Sequence, residues 1–366
     1  MAILLTDLIS RVPPAVEQRV RRIRDNTRSV IQDALRAECR LLLRTPAETE
    51  NNLPGAQVPV EIAPGHPVIL TKIEFPDDFE RIMLLGRYRT ILEQAHTGAS
   101  GMLKLRAELA SRPNPEQWIH ATEAELRATT DWAASLLKLL DQHDPLKRVL
   151  AVEEDFLGVY QYEASDIFAD ESAVNKASIR IYWGVVGLVS EWMGCSVEDL
   201  TIVVLTHELA HAYTQLGADI NGRRWPAPIF AKSETGLKEG LAQYYTDRVL
   251  RRLERRYAGA LKVYEAMLPG QPAAYRAHKT WVGDSTPEAV RRAMLEVRSW
   301  QETQLADFNR RLAEAQKELQ PAKMQAELTA WPCDEQRTSH PLGRRHAGMG
   351  SAFRCRPFNH FCHFRI

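Results

Sequence analysis

No stretch of this chain approaches 18 consecutive apolar residues, which excludes a membrane-spanning helix of ordinary length. The opening residues Met1 to Leu8 hold too short an apolar run for a secretory signal and no basic segment before it, so none is expected. Cysteine is scarce. Five in 366 residues, odd in number and irregular in spacing, exclude a disulfide framework and point to a reducing cytoplasm. Cys195 is given no catalytic role. An excess of one charge is also missing. With 47 acidic and 47 basic residues, no global field draws the chain to nucleic acid or to a membrane surface.

Apolar residues make up 45% of the chain, enough for one large core or two modest ones. Arg19, Arg21, Arg22, Arg24 and Arg28 lie on an amphipathic helix expected from about Pro14 to Leu43, with Val16, Val20, Ile23, Val30, Ile31 and Leu35 as its apolar positions. No aromatic residues interleave with these arginines. A solvated face is therefore expected rather than a nucleic-acid patch. Two short strands, Val58–Ile62 and Pro67–Thr71, are expected to form a hairpin around Ala63-Pro64-Gly65-His66. Helical patterns follow at about 77–96, 99–111 and 115–142, and Asp144-Pro145 marks a domain boundary.

The strongest signal is His207-Glu208-Leu209-Ala210-His211. Histidines four positions apart on a helix share one face, so both imidazoles can reach one divalent metal. The glutamate between them can take a proton from a metal-activated water. Ser196 is a helix N-cap with acids at Glu198 and Asp199 behind it, and Gly217 is a plausible stop. Val203, Val204, Leu200 and Thr214 share or flank the histidine stripe, which should face the protein body. Histidines satisfied within an ordinary core are the alternative.

Hydrolytic zinc usually takes three protein ligands. Glu239 is the favoured third, because Lys238 to Tyr245 opens a second helix whose small residues Gly240 and Ala242 allow close packing beneath the first. Asp219 is the other candidate, in an arrangement similar to that of the aspzincins. The metzincin pattern is excluded, since it needs glycine at 214 and a ligand at 217, where this chain has Thr214 and Gly217.

The pair of motifs, H-E-L-A-H and then E-G-L-A beginning at Glu239, resembles the gluzincin metallopeptidases over roughly positions 176 to 300. That resemblance implies a zincin-like catalytic domain, a small sheet plus an active-site helix and a glutamate helix. It implies one Zn2+ held by His207, His211 and Glu239, with Glu208 as general base. Thermolysin-like members carry aspartate four positions after the glutamate ligand to hold a histidine. Here Gln243 stands there, with Asp247 or Asp219 as other candidates for the task. No exopeptidase motif lies upstream, so an endopeptidase acting on a peptide or protein substrate is expected. A non-catalytic or narrowly regulatory protein that retains zinc and binds a protein partner is the alternative.

Ala177 to Trp183 reads as a strand, either the edge that pairs with an extended substrate or an internal one. Ala274 to Trp281 offers oxyanion donors, with His278 and Tyr275 the first choices and an ordinary packing role the alternative for each. Tyr244 and Tyr245 are assigned to the core. A charged helix over about 298–320 is expected to extend away from the body.

The expected fold is α+β and helix-rich: a mainly helical region at 1–145, the catalytic domain at 146–300, a C-terminal helix at 301–330 and an irregular tail at 331–366. Neither nucleic acid nor membrane is an expected partner. The tail's Cys333, His340, His346, Cys355, His360, Cys362 and His363 match no familiar zinc-ligand spacing, so no second metal site is expected there.

Overall fold

The computed structural model describes residues 2–51, 55–110, 122–152, 155–162 and 177–319. The Cys/His-rich tail and positions 115–121 of the expected third helix lie outside them. Helices dominate, around a three-stranded sheet ordered β2-β5-β4 and a two-stranded pair. The strands are β1 (Ile3–Leu4), β2 (Val60–Ala63), β3 (Glu74–Phe75), β4 (Gly158–Tyr162) and β5 (Ala177–Tyr182). β2 runs parallel to β5 with Val60 opposite Ile179, and β4 runs antiparallel with Tyr160 opposite Ile179.

This order corrects one expectation and decides between two alternatives. Pro67–Thr71 is not a strand, and there is no hairpin. Val68–Lys72 winds into a 3-10 turn, with the Leu70 amide bonded to the Pro67 carbonyl and Val68 fully in solvent. Leu70 is buried and its neighbour Ile69 only partly so, consecutive positions that give no alternating apolar face to reward pairing, and β2 finds its partner in distant β5. The Ala177–Trp183 strand is internal rather than an edge.

The motif helix spans Val197–Leu216. Ser196 caps it, its hydroxyl oxygen accepting from the Asp199 amide at 3.0 Å. The helix ends at Gly217, whose φ of −65° any residue could adopt. Glycine is needed there for space, since a Cβ would lie 2.4 Å from the Tyr213 carbonyl oxygen and 2.6 Å from Leu41 Cβ. That close approach lets Leu42 and Ala218 exchange backbone hydrogen bonds. Leu200 to Leu216 are buried on every side, not on one stripe. The N-terminal helix (Ala15–Cys39), the glutamate helix (Thr235–Arg252), the helix Glu254–Met267 and β4 all pack against it.

One apolar core gathers residues from Leu5 to Ala315. The helices Arg89–Ala110 and Glu123–Gln142 pair with each other over a small separate cluster of Ile82, Leu92 and Leu140. Gly98 and Gly101 fall inside the first of these helices rather than dividing it, with nothing near their would-be Cβ positions. The charged helix expected over about 298–320 starts at Leu305 and runs to Leu319, after a separate helix Pro287–Trp300 and a turn at Gln301 with φ 54°. Instead of extending away, it folds back on that helix. Phe308 is buried against the Trp281 ring, and Arg292 pairs with Glu318 at 2.6 Å.

The arginine face is not simply solvated. Leu157 and Pro59 turn their carbonyls inward to β5, accepting from Tyr182 and Ile179, so alternation points the carbonyls of Val58, Val60 and Ile62 outward. Arg28, Arg24 and Arg21 donate to those three oxygens at 2.8, 3.0 and 3.1 Å. One helical turn per arginine nearly matches two residues per strand repeat, and flexible side chains absorb the remainder. Arg19 pairs with Glu198 at 2.5 Å, tying the same helix to the start of the motif helix.

Candidate metal centre

The motif helix and the glutamate helix bring His207, His211 and Glu239 to one point. Nε2 of His207 and Nε2 of His211 are 3.2 Å apart, and Oε2 of Glu239 lies 3.3 Å from the first and 3.2 Å from the second. A tetrahedral cation with bonds of about 2.0–2.1 Å places its ligand atoms about 3.4 Å apart. The three donors fit that edge length, and the two nitrogens plus a carboxylate suit a borderline divalent ion. All three are buried.

A fourth residue, absent from the sequence reading, joins them. Asp155 lies just before β4, with Oδ1 3.7 Å from His207 Nε2 and Oδ2 3.9 Å from His211 Nε2. One donor atom from each of the four side chains falls within 4.8 Å of the others. In sequence, Asp155 ends a Glu-Glu-Asp run that looks like a solvated acidic turn, some fifty residues before the motif. The β-type alternation from Phe156 to Tyr162 is the one signal that could have placed it beside a sheet.

Glu208 sits on the same helix but against β4. Its carboxylate accepts from the Tyr160 backbone amide, while Oε2 is buried without a hydrogen-bond partner. Gly158 makes this possible, since a Cβ there would stand 2.9 Å from both Glu208 Oε1 and Val204 Cγ1. Burial raises the Glu208 pKa well above the usual carboxylate range, and Asp155 and Glu239 raise it further. Burial also opposes ionisation of Glu239, yet His211 and His207 beside it hold its carboxyl well below that range. For His207, burial favours the neutral ring, but Asp155 and Glu239 outweigh it and raise the imidazole pKa well above normal. Such a crowd of buried carboxylates calls for positive charge at its centre.

Tyr275 reaches the site. Its hydroxyl donates to Asp155 Oδ1 at 2.7 Å, and its ring stacks 6.1 Å from that of His207. His278 does not join the cluster. Its Nδ1 donates to the Tyr275 carbonyl at 3.0 Å, and Nε2 lies 3.1 Å from the Tyr264 hydroxyl. Burial depresses this imidazole to about 4.

Gln243 bonds Gln271 at 3.3 Å rather than either histidine, and its Oε1 and His207 Nδ1 are both buried without partners beside the same cavity of about 50 Å³. Asp247 pairs with Arg251 at 2.9 Å, and Asp219 closes its own turn by accepting from the Asn221 and Arg223 amides. Neither touches a histidine. Gly240 gives room to Trp281, 2.6 Å from its would-be Cβ, rather than to the motif helix. Tyr244 and Tyr245 are core residues. Tyr160, also unforeseen, stacks on His211 at 6.1 Å and donates to Gln215 Oε1 at 2.6 Å.

Comparison with family models, curated proteins and solved structures gives no match. The functional reading rests on these residues and their geometry. Among the described residues no helix is long and apolar enough to cross a membrane.

Proposed function

We propose that this protein is a zinc-dependent metallopeptidase of the gluzincin kind, with a zincin-like catalytic unit. The observation that carries the reading is the triangle of His207 Nε2, His211 Nε2 and Glu239 Oε2, with edges of 3.2 to 3.3 Å and Glu208 on the same helix. His207, His211 and Glu239 hold the zinc. When bound, it supplies Lewis acidity that activates water and polarises a scissile carbonyl.

Glu208 receives the proton of the attacking water and passes it to the leaving amine. Its burial lifts the carboxyl pKa towards the working pH, where a general base is most effective. The backbone groups of Gly158 and Tyr160 point away from β5, so β4 is the edge on which an extended peptide can pair. The Tyr275 phenol, whose ring stacks on His207, is the donor for a developing oxyanion.

Zinc content by mass spectrometry tests the reading. About one ion per chain is expected in the wild-type protein and none in His211→Ala or Glu239→Ala; zinc retained in Glu239→Ala would remove the gluzincin ligand set. The second reading, a zinc-retaining protein that binds a partner without cleaving it, draws support from Asp155 beside the position a water would need.

A further inference from the structure

We propose that Asp155 is a fourth protein ligand of the metal and closes, in the resting protein, the coordination position that hydrolysis requires. The inference rests on the metallopeptidase reading and adds a regulation to it. Three donors already occupy one face of a tetrahedron. Asp155 approaches the other two sides, with Oδ1 3.7 Å from His207 Nε2, Oδ2 3.9 Å from His211 Nε2, and one of its oxygens within 4.8 Å of all three donors, near enough for a small side-chain shift to bring it onto the ion. Sites with four protein ligands are closed, and sites with three leave room for water.

Charge balance agrees with the geometry. Two neutral imidazoles and the carboxylates of Glu239 and Asp155 match a divalent charge among the ligands themselves, in a buried place. The anchoring is asymmetric as well. His207, His211 and Glu239 project from two long helices, and their side chains are 9% exposed or less. Asp155 sits on a short irregular stretch before β4 and is 20% exposed. Of the four ligands, Asp155 can leave without unravelling a helix.

The same carboxylate also holds the Tyr275 hydroxyl at 2.7 Å. Asp155 therefore blocks the water position and occupies the oxyanion donor together, and its departure frees both. An extended peptide pairing on β4 runs into the segment that carries Asp155, which makes substrate itself the agent that opens the site.

The test uses the full-length protein loaded with Co2+, acetohydroxamate as a probe for an open coordination position, and chelator competition for zinc. In the wild-type protein the visible spectrum should stay unmoved at acetohydroxamate concentrations that shift the spectrum of Asp155→Ala. Zinc affinity should fall at least about tenfold in Asp155→Ala, and less in Asp155→Asn, which keeps the shape and a hydrogen-bond acceptor for Tyr275. Circular dichroism verifies the fold of both variants. Equal acetohydroxamate response and equal zinc affinity in all three proteins would overturn the role of Asp155 and leave the peptidase reading standing. A wild-type protein that takes up no metal would overturn both.

Discussion

The two edges of the three-stranded sheet are treated in opposite ways. Along β2, three arginines from the N-terminal helix bond the outward carbonyls of Val58, Val60 and Ile62, so the edge is closed by the chain's own side chains. Along β4, the outward amide of Tyr160 meets the carboxylate of Glu208, Gly158 gives up its side chain to make room, and Asp155 stands at the strand's entrance. The β2 contacts join long, flexible and permanently charged groups to backbone. The β4 contacts centre on Glu208, a titratable group whose burial raises its proton affinity. One edge is tied down by fixed charges, and the other adjoins the buried carboxylates of the cluster.

Removing the general base should separate the edges most sharply. Glu208→Gln is expected to lower kcat/KM on a cleavable peptide by about 10²- to 10⁴-fold with zinc content unchanged, and activity near the wild-type level would exclude Glu208 as base. Acid should act next, through the wall behind β4. His278 is buried neutral with its pKa lowered to about 4. Between the unfolded value near 6.5 and that folded value, the unfolded chain binds a proton the folded one refuses. Stability is therefore full above about pH 6.5 and declines as the pH falls, by up to about 3 kcal/mol. Urea denaturation at pH 7 and pH 5 should show the decline, and His278→Gln should flatten it; equal slopes in the two proteins would place the acid sensitivity elsewhere.

Gly158→Ala should be milder, costing about 1–3 kcal/mol by forcing its new methyl against Glu208 and Val204. Activity should drop more than metal affinity does, because the displaced group is the base and not a ligand. Comparing kcat/KM with zinc affinity in that variant checks the distinction. On the opposite edge, Arg24→Met should remove about 1–2 kcal/mol and leave both metal binding and kcat/KM untouched. A loss of activity there would show that the β2 edge is not purely structural.

Local periodicity made part of the site legible. Four-residue spacing placed His207 and His211 on one face, Ser196 announced the helix start, and Glu239 followed from a second helix, although that helix begins at Thr235 and so carries Glu239 beyond its first turn. Strand placement was less legible. Val58–Ile62 and Ala177–Trp183 were recognisable as strands, but alternation says nothing about which strand lies beside which, so the internal position of β5 went undecided and a hairpin was expected where β2 pairs across more than a hundred residues. The long apolar stripe of the motif helix concealed that its other faces are buried too.

The chain's own pattern thus determined the face shared by the two histidines, the glutamate between them and the helices that carry them, because those depend on contacts within a turn or two. Only the tertiary structure decided that Asp155 joins the cluster, that His278 stays out of it, and that β4 rather than β5 lies at a sheet edge among the described residues. Those outcomes depend on where distant backbone segments come to lie. Burial, which raises the proton affinity of the mid-helix Glu208, exists only once they have packed.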